Sequence, residues 1–418
     1  MEKVLETTGV RVLLITQLFD PENAIKGLSF CKQLAELGHD VEVVTTFPNY
    51  PGGRLFPGYR MRWLQREQID GIRIARVPMY MSHTRSSLKR LLGYCSFSFC
   101  AFLYAVFGTR RADVIYAYYP PVVGGIMAAL LGLLQRRPFI YDVQDLWPEA
   151  VVATGMVRSK VIVWLIEGLA KWIYKRAAAV VVLSDGYRDA LIGKGVQPEK
   201  IARIYNWSDE SRLTNHALET ATQVGLGTFD IVYAGNMGAA QALSAVLDAA
   251  HELQKNSVDQ VRFVFVGDGV EKAGLQAQAD RLALKNVVFK PRLPPEEIGA
   301  ELQAASALLV HLAPDPVFSI TVPQKLQAYL AAGKPILVGV TGESSEIIRR
   351  AGAGVSVRPG DPADIARGVL QLACATPAAL TAMGIAGKRF YGENMSQSNG
   401  VRLVSETLVH ASNGRGCG

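Results

Sequence analysis

The sequence is short of the groups from which most recognisable catalytic centres are built. It has six histidines; His83, His311 and His410 are isolated, and no His/Asp/Glu cluster with metal-ligand spacing occurs. There is no Gly-x-Ser-x-Gly elbow and no Walker-type phosphate loop, so neither an α/β-hydrolase nor a P-loop nucleotidase is indicated. The five cysteines, Cys31, Cys95, Cys100, Cys374 and Cys417, form no CxxC pair. An odd, scattered set fits a reducing compartment better than a disulfide framework. Met1 to Gly9 carries Glu2, Lys3 and Glu6 and no apolar run, so it does not read as a signal peptide. No short-period repeat occurs. Charged residues make up 19% of the chain against 49% hydrophobic, which excludes a disordered chain and provides for sizeable cores.

What is present points to two α/β domains. A chain of 418 residues is too long for one ordinary core. Apolar runs at Val10–Thr16, Val41–Thr46, Ile72–Val77, Asp113–Tyr118, Pro138–Asp142 and Ala179–Ser184 read as strands with helices between most of them. A second series follows at Phe229–Ala234, Val261–Val266, Val287–Phe289, Ala307–His311 and Pro335–Val340. Its helices fall near Ala239–Lys255, Glu271–Ala283, Pro295–Ala305, Val322–Ala332 and Ser344–Ala351. Continuous apolar strands alternating with helices predict parallel sheets covered on both faces. The predicted boundaries are an N-terminal domain over 1–205, a polar linker over 206–228, a C-terminal domain over 229–390, and a helix with a disordered tail over 391–418 that crosses back to the first domain.

Open parallel sheets bind ligands beyond the carboxyl ends of their strands, and the motifs sit there. Phe229–Ala234 runs into Gly235-Asn236-Met237-Gly238, and Val261–Val266 into Gly267-Asp268-Gly269. A strand, a glycine turn and a helix start can bring amides and a positive dipole to a phosphate. Either turn alone reads as a tight bend; the tandem pair favours a nucleotide. The loop Phe318 to Pro323, with Ser319, Ile320 and Thr321, leads through Gln324 to Lys325, a cation just inside a helix and suited to a diphosphate. Asp268 and Arg292 lie at strand ends where they can border base and ribose. In the first domain Asp142, Gln144, Asp145 and Glu149 crowd one strand end. Asp145 and Asp142 are the candidates for orienting an acceptor hydroxyl. Helix capping ahead of Pro148 is an equal reading for Asp145 and the preferred one for Glu149. The loops Phe19 to Gly27 and Phe47 to Gly53 follow successive strands and are candidates for binding loops.

The net charge of +7 favours an anionic partner: a nucleotide, nucleic acid or an acidic membrane face. Lys160–Arg176 interleaves Trp164, Trp172 and Tyr174 with Lys160, Lys171, Lys175 and Arg176, a pattern that suits packing as an amphipathic helix and also contact with anionic lipid. Leu91–Gly108 carries no charge and is long enough to span a bilayer. In this α/β context it reads as a buried core helix.

At these residues the chain resembles bacterial family 4 glycosyltransferases of the GT-B fold, α/β proteins whose two Rossmann-like domains face each other across a central cleft. It is similar in particular to the branch that builds O-antigen, colanic-acid-like or capsular units, including N-acetylfucosamine transferases. The pieces that carry the resemblance are Pro48-Asn49-Tyr50-Pro51-Gly52 with Gly58-Tyr59, Asp145-Leu146-Trp147-Pro148-Glu149, Tyr233 to Gly238 with Gln241, and Ile320 to Lys325 through Ala328 to Pro335. The resemblance implies transfer of a sugar, an N-acetylated hexosamine or deoxyhexosamine, from a UDP-sugar donor with retention at the anomeric carbon. It implies no obligatory metal or other cofactor and no nucleic-acid partner. The acceptor it implies is a lipid-linked saccharide on a polyprenyl diphosphate, met at the cytoplasmic membrane face by a peripheral cytoplasmic protein. Donor contacts would fall on Gly235, Asn236, Met237, Gly238 and Gln241, on Gly267, Asp268, Gly269 and Arg292, and on Ser319, Ile320, Thr321, Pro323, Gln324 and Lys325. The family's Glu-x7-Glu pair is replaced by Ile320 and Ala328, and Ala239 stands where relatives often carry a basic residue. Lys325 is therefore the clearest phosphate cation, and with Asp145 and Asp142 it makes up the expected catalytic set. The missing glutamates keep a non-catalytic nucleotide-sugar scaffold open as an alternative. A UDP-sugar epimerase is a third reading, since it shares the doubled α/β architecture.

Overall fold

The computed structural model describes residues 9–414 except 51, 82–86, 119–120, 154–156, 158 and 211–226. Most of the predicted linker, Pro51, His83 and the tail beyond 414 lie outside the described residues. The chain divides into two compact units, residues 1–205 with 400–418, and residues 206–399.

Unit 1 runs β1 (Arg11–Thr16), α1 (Leu28–Glu36), β2 (Asp40–Thr46), β3 (Gln65–Ile69), β4 (Ile72–Val77), α2 (Ser87–Phe107), β5 (Val114–Tyr118), α3 (Val122–Gln135), β6 (Phe139–Val143), α4 (Glu149–Ala153), α5 (Lys160–Arg176), β7 (Ala179–Val182), α6 (Asp185–Gly193) and β8 (Ile201–Arg203). The sheet order is β3-β4-β2-β1-β5-β6-β7-β8. Every residue of β5, β6 and β7 is buried, as a parallel strand covered on both faces requires. The strand order reverses between β1 and β5, which pair in parallel from Val12 with Val114 to Thr16 with Tyr118.

One strand departs from the expected all-parallel sheet. β3 pairs antiparallel with β4 at the edge. Its sequence, Gln-Arg-Glu-Gln-Ile, alternates half-buried with exposed positions, and an apolar-run search passes over such a polar edge strand.

Unit 2 runs β9 (Phe229–Ala234), α7 (Ser244–Lys255), β10 (Val261–Val266), α8 (Lys272–Arg281), β11 (Val287–Lys290), α9 (Ile298–Ala304), β12 (Ala307–His311), α10 (Pro316–Ser319), α11 (Gln324–Ala332), β13 (Ile336–Gly339), α12 (Glu343–Ala351), β14 (Gly354–Ser356), α13 (Pro362–Ala373) and α14 (Pro377–Asn394). Its order, β11-β10-β9-β12-β13-β14, is the doubly wound 3-2-1-4-5-6 arrangement, whose switch point falls between β9 and β12. Met237, Leu247, Phe263, Leu309 and Ile365 are among the fully buried members of its core.

The last helix, α15 (Gln397–Asn413), starts in unit 2 and enters unit 1 at Gly400. The sequence placed this return at 391. Tyr391 instead stays in unit 2, where its hydroxyl accepts from the Ser208 amide at 3.0 Å and donates to Glu210 at 2.9 Å. Within unit 1, His39 holds α15: its Nε2 meets Ser405 Oγ at 2.7 Å, while its Nδ1 accepts from the Val10 amide at 3.2 Å.

α2 is not the buried core helix expected from its composition. Phe97, Ala101 and Ala105 seat one face, whereas only 28% of Lys89–Phe107 is buried. Leu92, Phe99, Leu103 and Phe107 are exposed. By length and composition this helix could cross a membrane. It packs beside α3, and α3 beside α5, so three neighbouring helices carry exposed large apolar side chains.

Candidate functional site

In unit 2 the ends of β9 and β10 are locked together by backbone. Gly235 N donates to Val266 O at 2.8 Å, Met237 N to Asp268 O at 2.8 Å, and Glu271 N to Met237 O at 3.0 Å. This closeness is why glycine is needed. A Cβ on Gly267 would lie 2.0 Å from Gly235 O, and one on Gly235 would lie 2.7 Å from Lys325 Cε; both residues also have positive φ, +140° and +136°.

The chain after β9 does not enter a helix directly. Ala239–Gln241 is a single 3-10 turn, Ala242 is left-handed at φ +45°, and α7 begins at Ser244. Gln241 makes this loop: its Oε1 accepts from Gly238 N at 3.0 Å and from Asn236 Nδ2 at 3.3 Å. The predicted amide cradle over Gly235–Gly238 is therefore corrected. Three of its four amides, those of Gly235, Met237 and Gly238, already donate within the protein. The Met237 side chain is fully buried and serves as a core anchor beneath the loop. Gly269 N is also engaged, by the carboxylate of exposed Asp268 at 2.8 Å. Arg292 is exposed in the loop after β11.

The cation stands at the start of α11. Pro323 occupies the N-cap and offers no side-chain cap, so the first amides of this helix and the positive end of its dipole have no side-chain anion of the cap residue. Lys325 Nζ lies 3.6 Å from the centroid of the Tyr233 ring and donates to the Tyr233 hydroxyl. That hydroxyl donates in turn to the carbonyl of Asn236. Burial lowers the Lys325 ammonium from its ordinary 10.5 to about 7, and a neighbouring anion would restore the charge. Tyr329, one turn further along α11, accepts from Ala234 N at 2.9 Å. It thereby fixes α11 against the end of β9. Both tyrosines fall within the stretches that carry the family resemblance, Tyr233 to Gly238 and Ala328 to Pro335, but the sequence assigned neither a role.

The loop before α11 leans on the next strand end. Ser344 Oγ donates to Thr321 O at 3.0 Å, and a Cβ on Gly342 would meet Ser319 O at 2.1 Å. Thr321 and Ser319 turn their own hydroxyls back onto Val317 O and Pro316 O. Ile320, Pro323 and Ala328 are half-buried and Gln324 is exposed. His311, at the end of β12, is buried between Gln241 O at 2.8 Å and Gly360 N at 3.2 Å. It braces the switch point and has no ring nitrogen left over.

In unit 1 the two candidate carboxylates part company. Asp142 is fully buried. It is paired with Lys26, accepts from the Tyr116 hydroxyl at 2.5 Å, and accepts from Gln144 Nε2 at 2.7 Å. Its oxygens are spent on structure, so the acceptor-orienting role expected of it does not hold. Asp145, three residues on, is exposed at the turn before α4. Glu149 pairs with Lys194 at 2.6 Å.

The sequence missed Lys26, Glu22 and Arg76, three buried charges beneath the strand ends. Glu22 Oε1 accepts from the amides of Asn49 and Tyr50, each at 2.6 Å, which ties the loops after β1 and β2 together. Burial raises its carboxyl despite those amides. Arg76 donates to Asp20 O at 2.6 Å, Thr46 O at 3.0 Å and Glu67 at 2.6 Å. Glu22 and Lys26 lie in the loop after β1 and Arg76 in β4, and a charged residue carries no signal of its own burial in the sequence.

Comparison with known proteins fits this construction. Residues 28–207 match the family described as glycosyl transferase 4-like domain, and residues 220–386 match glycosyl transferases group 1. The colanic acid biosynthesis glycosyl transferase WcaI of Escherichia coli (strain K12) is 27% identical over 312 residues, covering 72% of this chain and 75% of its own. Among solved structures, HepE of Anabaena, in complex with UDP and glucose, aligns with a TM-score of 0.65 at 18% identity over 96% of this chain and 99% of its own. A UDP-forming trehalose-phosphate synthase of Burkholderia xenovorans aligns at 0.71 and 11% identity, again over 96% and 99%.

Proposed function

Since the chain belongs to the family 4 glycosyltransferases of the GT-B fold, we propose that it moves a sugar from a UDP-sugar to a polyprenyl-diphosphate-linked saccharide during surface polysaccharide synthesis, with retention at the anomeric carbon. The observation that carries the reading is Lys325: a desolvated cation at the start of α11, beside the glycine-locked ends of β9 and β10. The UDP complexes of HepE and the UDP-forming synthase support UDP as the nucleotide, and WcaI supports polysaccharide building. The donated sugar is an N-acetylated hexosamine or deoxyhexosamine.

In this reading unit 2 holds the donor. The diphosphate lies at the N-terminus of α11, with Lys325 and the first helix amides as its donors, rather than on the braced amides of Gly235–Gly238. Asp268 and Arg292 border the base and ribose. The bond between the anomeric carbon and the diphosphate oxygen breaks, and one to the acceptor hydroxyl oxygen forms. The hydroxyl proton leaves with the released UDP. Charge grows on the diphosphate oxygen as the bond breaks, and a fixed cation in a poorly solvated site stabilises that change. Unit 1 holds the acceptor, with Asp145 accepting from a sugar hydroxyl. The exposed apolar residues of α2, α3 and α5, among them Phe107 at 84% and Trp164 at 70% exposure, are flanked by exposed Arg110, Arg136, Lys160 and Lys175. Such a face suits an anionic bilayer and would bring the enzyme to a lipid-linked acceptor as a peripheral protein.

The test is UDP release on mixing candidate UDP-sugars with a lipid-linked saccharide, with the product's anomeric configuration read by NMR. UDP release that requires both substrates supports transfer. Tight UDP-sugar binding without release, acceptor present, would mark a scaffold, and conversion of the sugar without acceptor an epimerase.

A further inference from the structure

From Val43 to Arg66 the chain carries four arginines, Arg54, Arg60, Arg62 and Arg66, and no acidic residue. All four are exposed. Among the described residues, Arg54, Arg60 and Arg62 have no ion-pair partner. Met61, Trp63 and Leu64 are interleaved with them and exposed, and Trp63, at 89%, is the most exposed large apolar side chain among the described residues. One exposed apolar residue needs no partner, but three within four positions, beside unpaired arginines, make a patch that calls for one.

The patch is held in place. Phe56 N donates to Pro48 O at 3.0 Å and Tyr59 N to Phe56 O at 3.1 Å, and the buried Arg76 guanidinium lies 5.1 Å from the centroid of the Tyr59 ring. Gln65 then opens β3 opposite Arg76. Arg60 to Leu64 is thus a short span fixed at both ends. β2 ends at Thr46 beside Val77 of β4, so the whole segment from Phe47 lies at the carboxyl ends of the unit 1 strands, where an open α/β sheet takes its ligand. It also adjoins α2: the Arg66 guanidinium lies 5.5 Å from the centroid of the Tyr104 ring, next to exposed Leu103.

Such a patch fits a partner that is anionic and apolar together. A nucleic acid would engage the arginines and leave Met61 and Leu64 in water. An anionic bilayer answers both needs, since arginines meet headgroup phosphates and tryptophan sits at the boundary with the hydrocarbon. We propose that Arg60 to Leu64 is an interfacial anchor: Trp63 enters the headgroup region of an anionic membrane, Arg54, Arg60 and Arg62 meet its phosphates, and the carboxyl ends of the unit 1 strands are thereby turned to the lipid surface. The face of α2, α3 and α5 supplies attachment; this segment sets which end of unit 1 meets the bilayer. The inference rests on the lipid-linked acceptor of the proposed function, whose diphosphate lies at that surface, but the anchor can be read without any transfer.

The experiment uses the whole protein with Trp164→Phe, which leaves Trp63 as the one strongly exposed tryptophan among the described residues. Vesicles of phosphatidylglycerol with dibrominated phosphatidylcholine should quench its fluorescence, and adding Trp63→Phe should remove at least about half of that quenching. Arg60→Glu with Arg62→Glu, both exposed, should weaken affinity for the anionic vesicles at least about tenfold with an unchanged thermal melt. Equal quenching with and without Trp63, or unchanged affinity after the charge reversal, would overturn the proposal. So would a single-stranded oligonucleotide that binds as tightly as the vesicles and is lost in the same variants, the mark of a nucleic-acid surface. Loss of UDP release with every acceptor, while Trp63 still enters the vesicles, would instead overturn the transfer reading and leave the anchor standing.

Discussion

At the scale of single residues, two lysines show how the same group serves opposite ends. Lys26 is fully buried and paired with Asp142, and burial lowers it despite that partner. Removing the cation leaves an uncompensated buried carboxylate, which costs about 3–5 kcal/mol. Lys26→Met should destabilise the chain by that amount in denaturant unfolding, and adding Asp142→Asn should recover most of it, because Asn still accepts from Tyr116. A loss under 1 kcal/mol in the single variant would show that the pair is not buried as described. Lys325 has no carboxylate partner among the described ion pairs and loses its proton near pH 7. Between pH 7 and its ordinary 10.5 the unfolded chain holds a proton that the ligand-free folded chain has released, so stability rises with pH in that window. In the proposed function, diphosphate binding would reverse the shift by taking up a proton. UDP affinity should therefore be flat well below pH 7, halve by about pH 7, and fall by up to about 30-fold towards pH 8.5. Calorimetry on wild type and Lys325→Ala checks this: the fall should be absent in the variant, and a fall of equal size in both would assign it to another group.

At the scale of elements, legibility followed burial. β5, β6 and β7 are buried on both faces and were plain in the sequence as apolar runs. β3 and β8 were not, since a polar edge strand and a three-residue strand carry no run to find. The helix expected straight after Gly238 starts at Ser244 because one glutamine side chain, Gln241, bonds the loop back on itself; propensity cannot announce such a contact. Lys325 was legible through its place at a helix start, but its seat on Tyr233 was not, because that contact joins residues 92 apart in sequence. Composition also could not say whether α2 is buried, since an apolar helix lying on a core and one facing lipid read alike. The exposed faces of α2 and α5 carry a prediction. The protein should co-sediment with vesicles containing anionic phosphatidylglycerol, bind neutral phosphatidylcholine vesicles weakly, and release partly at high salt. Phe107→Ser with Trp164→Ser should reduce binding at least fivefold; unchanged sedimentation would move the membrane contact to another surface.

At the scale of the whole molecule, two doubly wound units differ in the chemistry at their switch points. The unit 2 switch point offers a helix start, a desolvated lysine and a loop braced by Gln241 and His311. The unit 1 switch point is apolar, lined by Phe97, Ala101 and Phe102 of α2 and Met127, Ala128 and Leu131 of α3. Both sheets were readable from alternating apolar strands and helices; the sequence began the last segment at residue 391, whereas the residues grouped with unit 1 begin at Gly400, since the tie of Tyr391 to Ser208 and Glu210 depends on folded contacts. In the proposed function, Ile320 and Ala328 in place of the family's glutamates would leave the electrostatic load of the reaction on Lys325. The most direct measurement is UDP release by Lys325→Ala with the donor and lipid-linked acceptor that support wild-type turnover. Loss of one preorganised donor to a developing anion predicts a kcat lower by about 10²–10³-fold, with the fold intact by thermal melting. Turnover within threefold of wild type would contradict the assignment of the diphosphate to the N-terminus of α11.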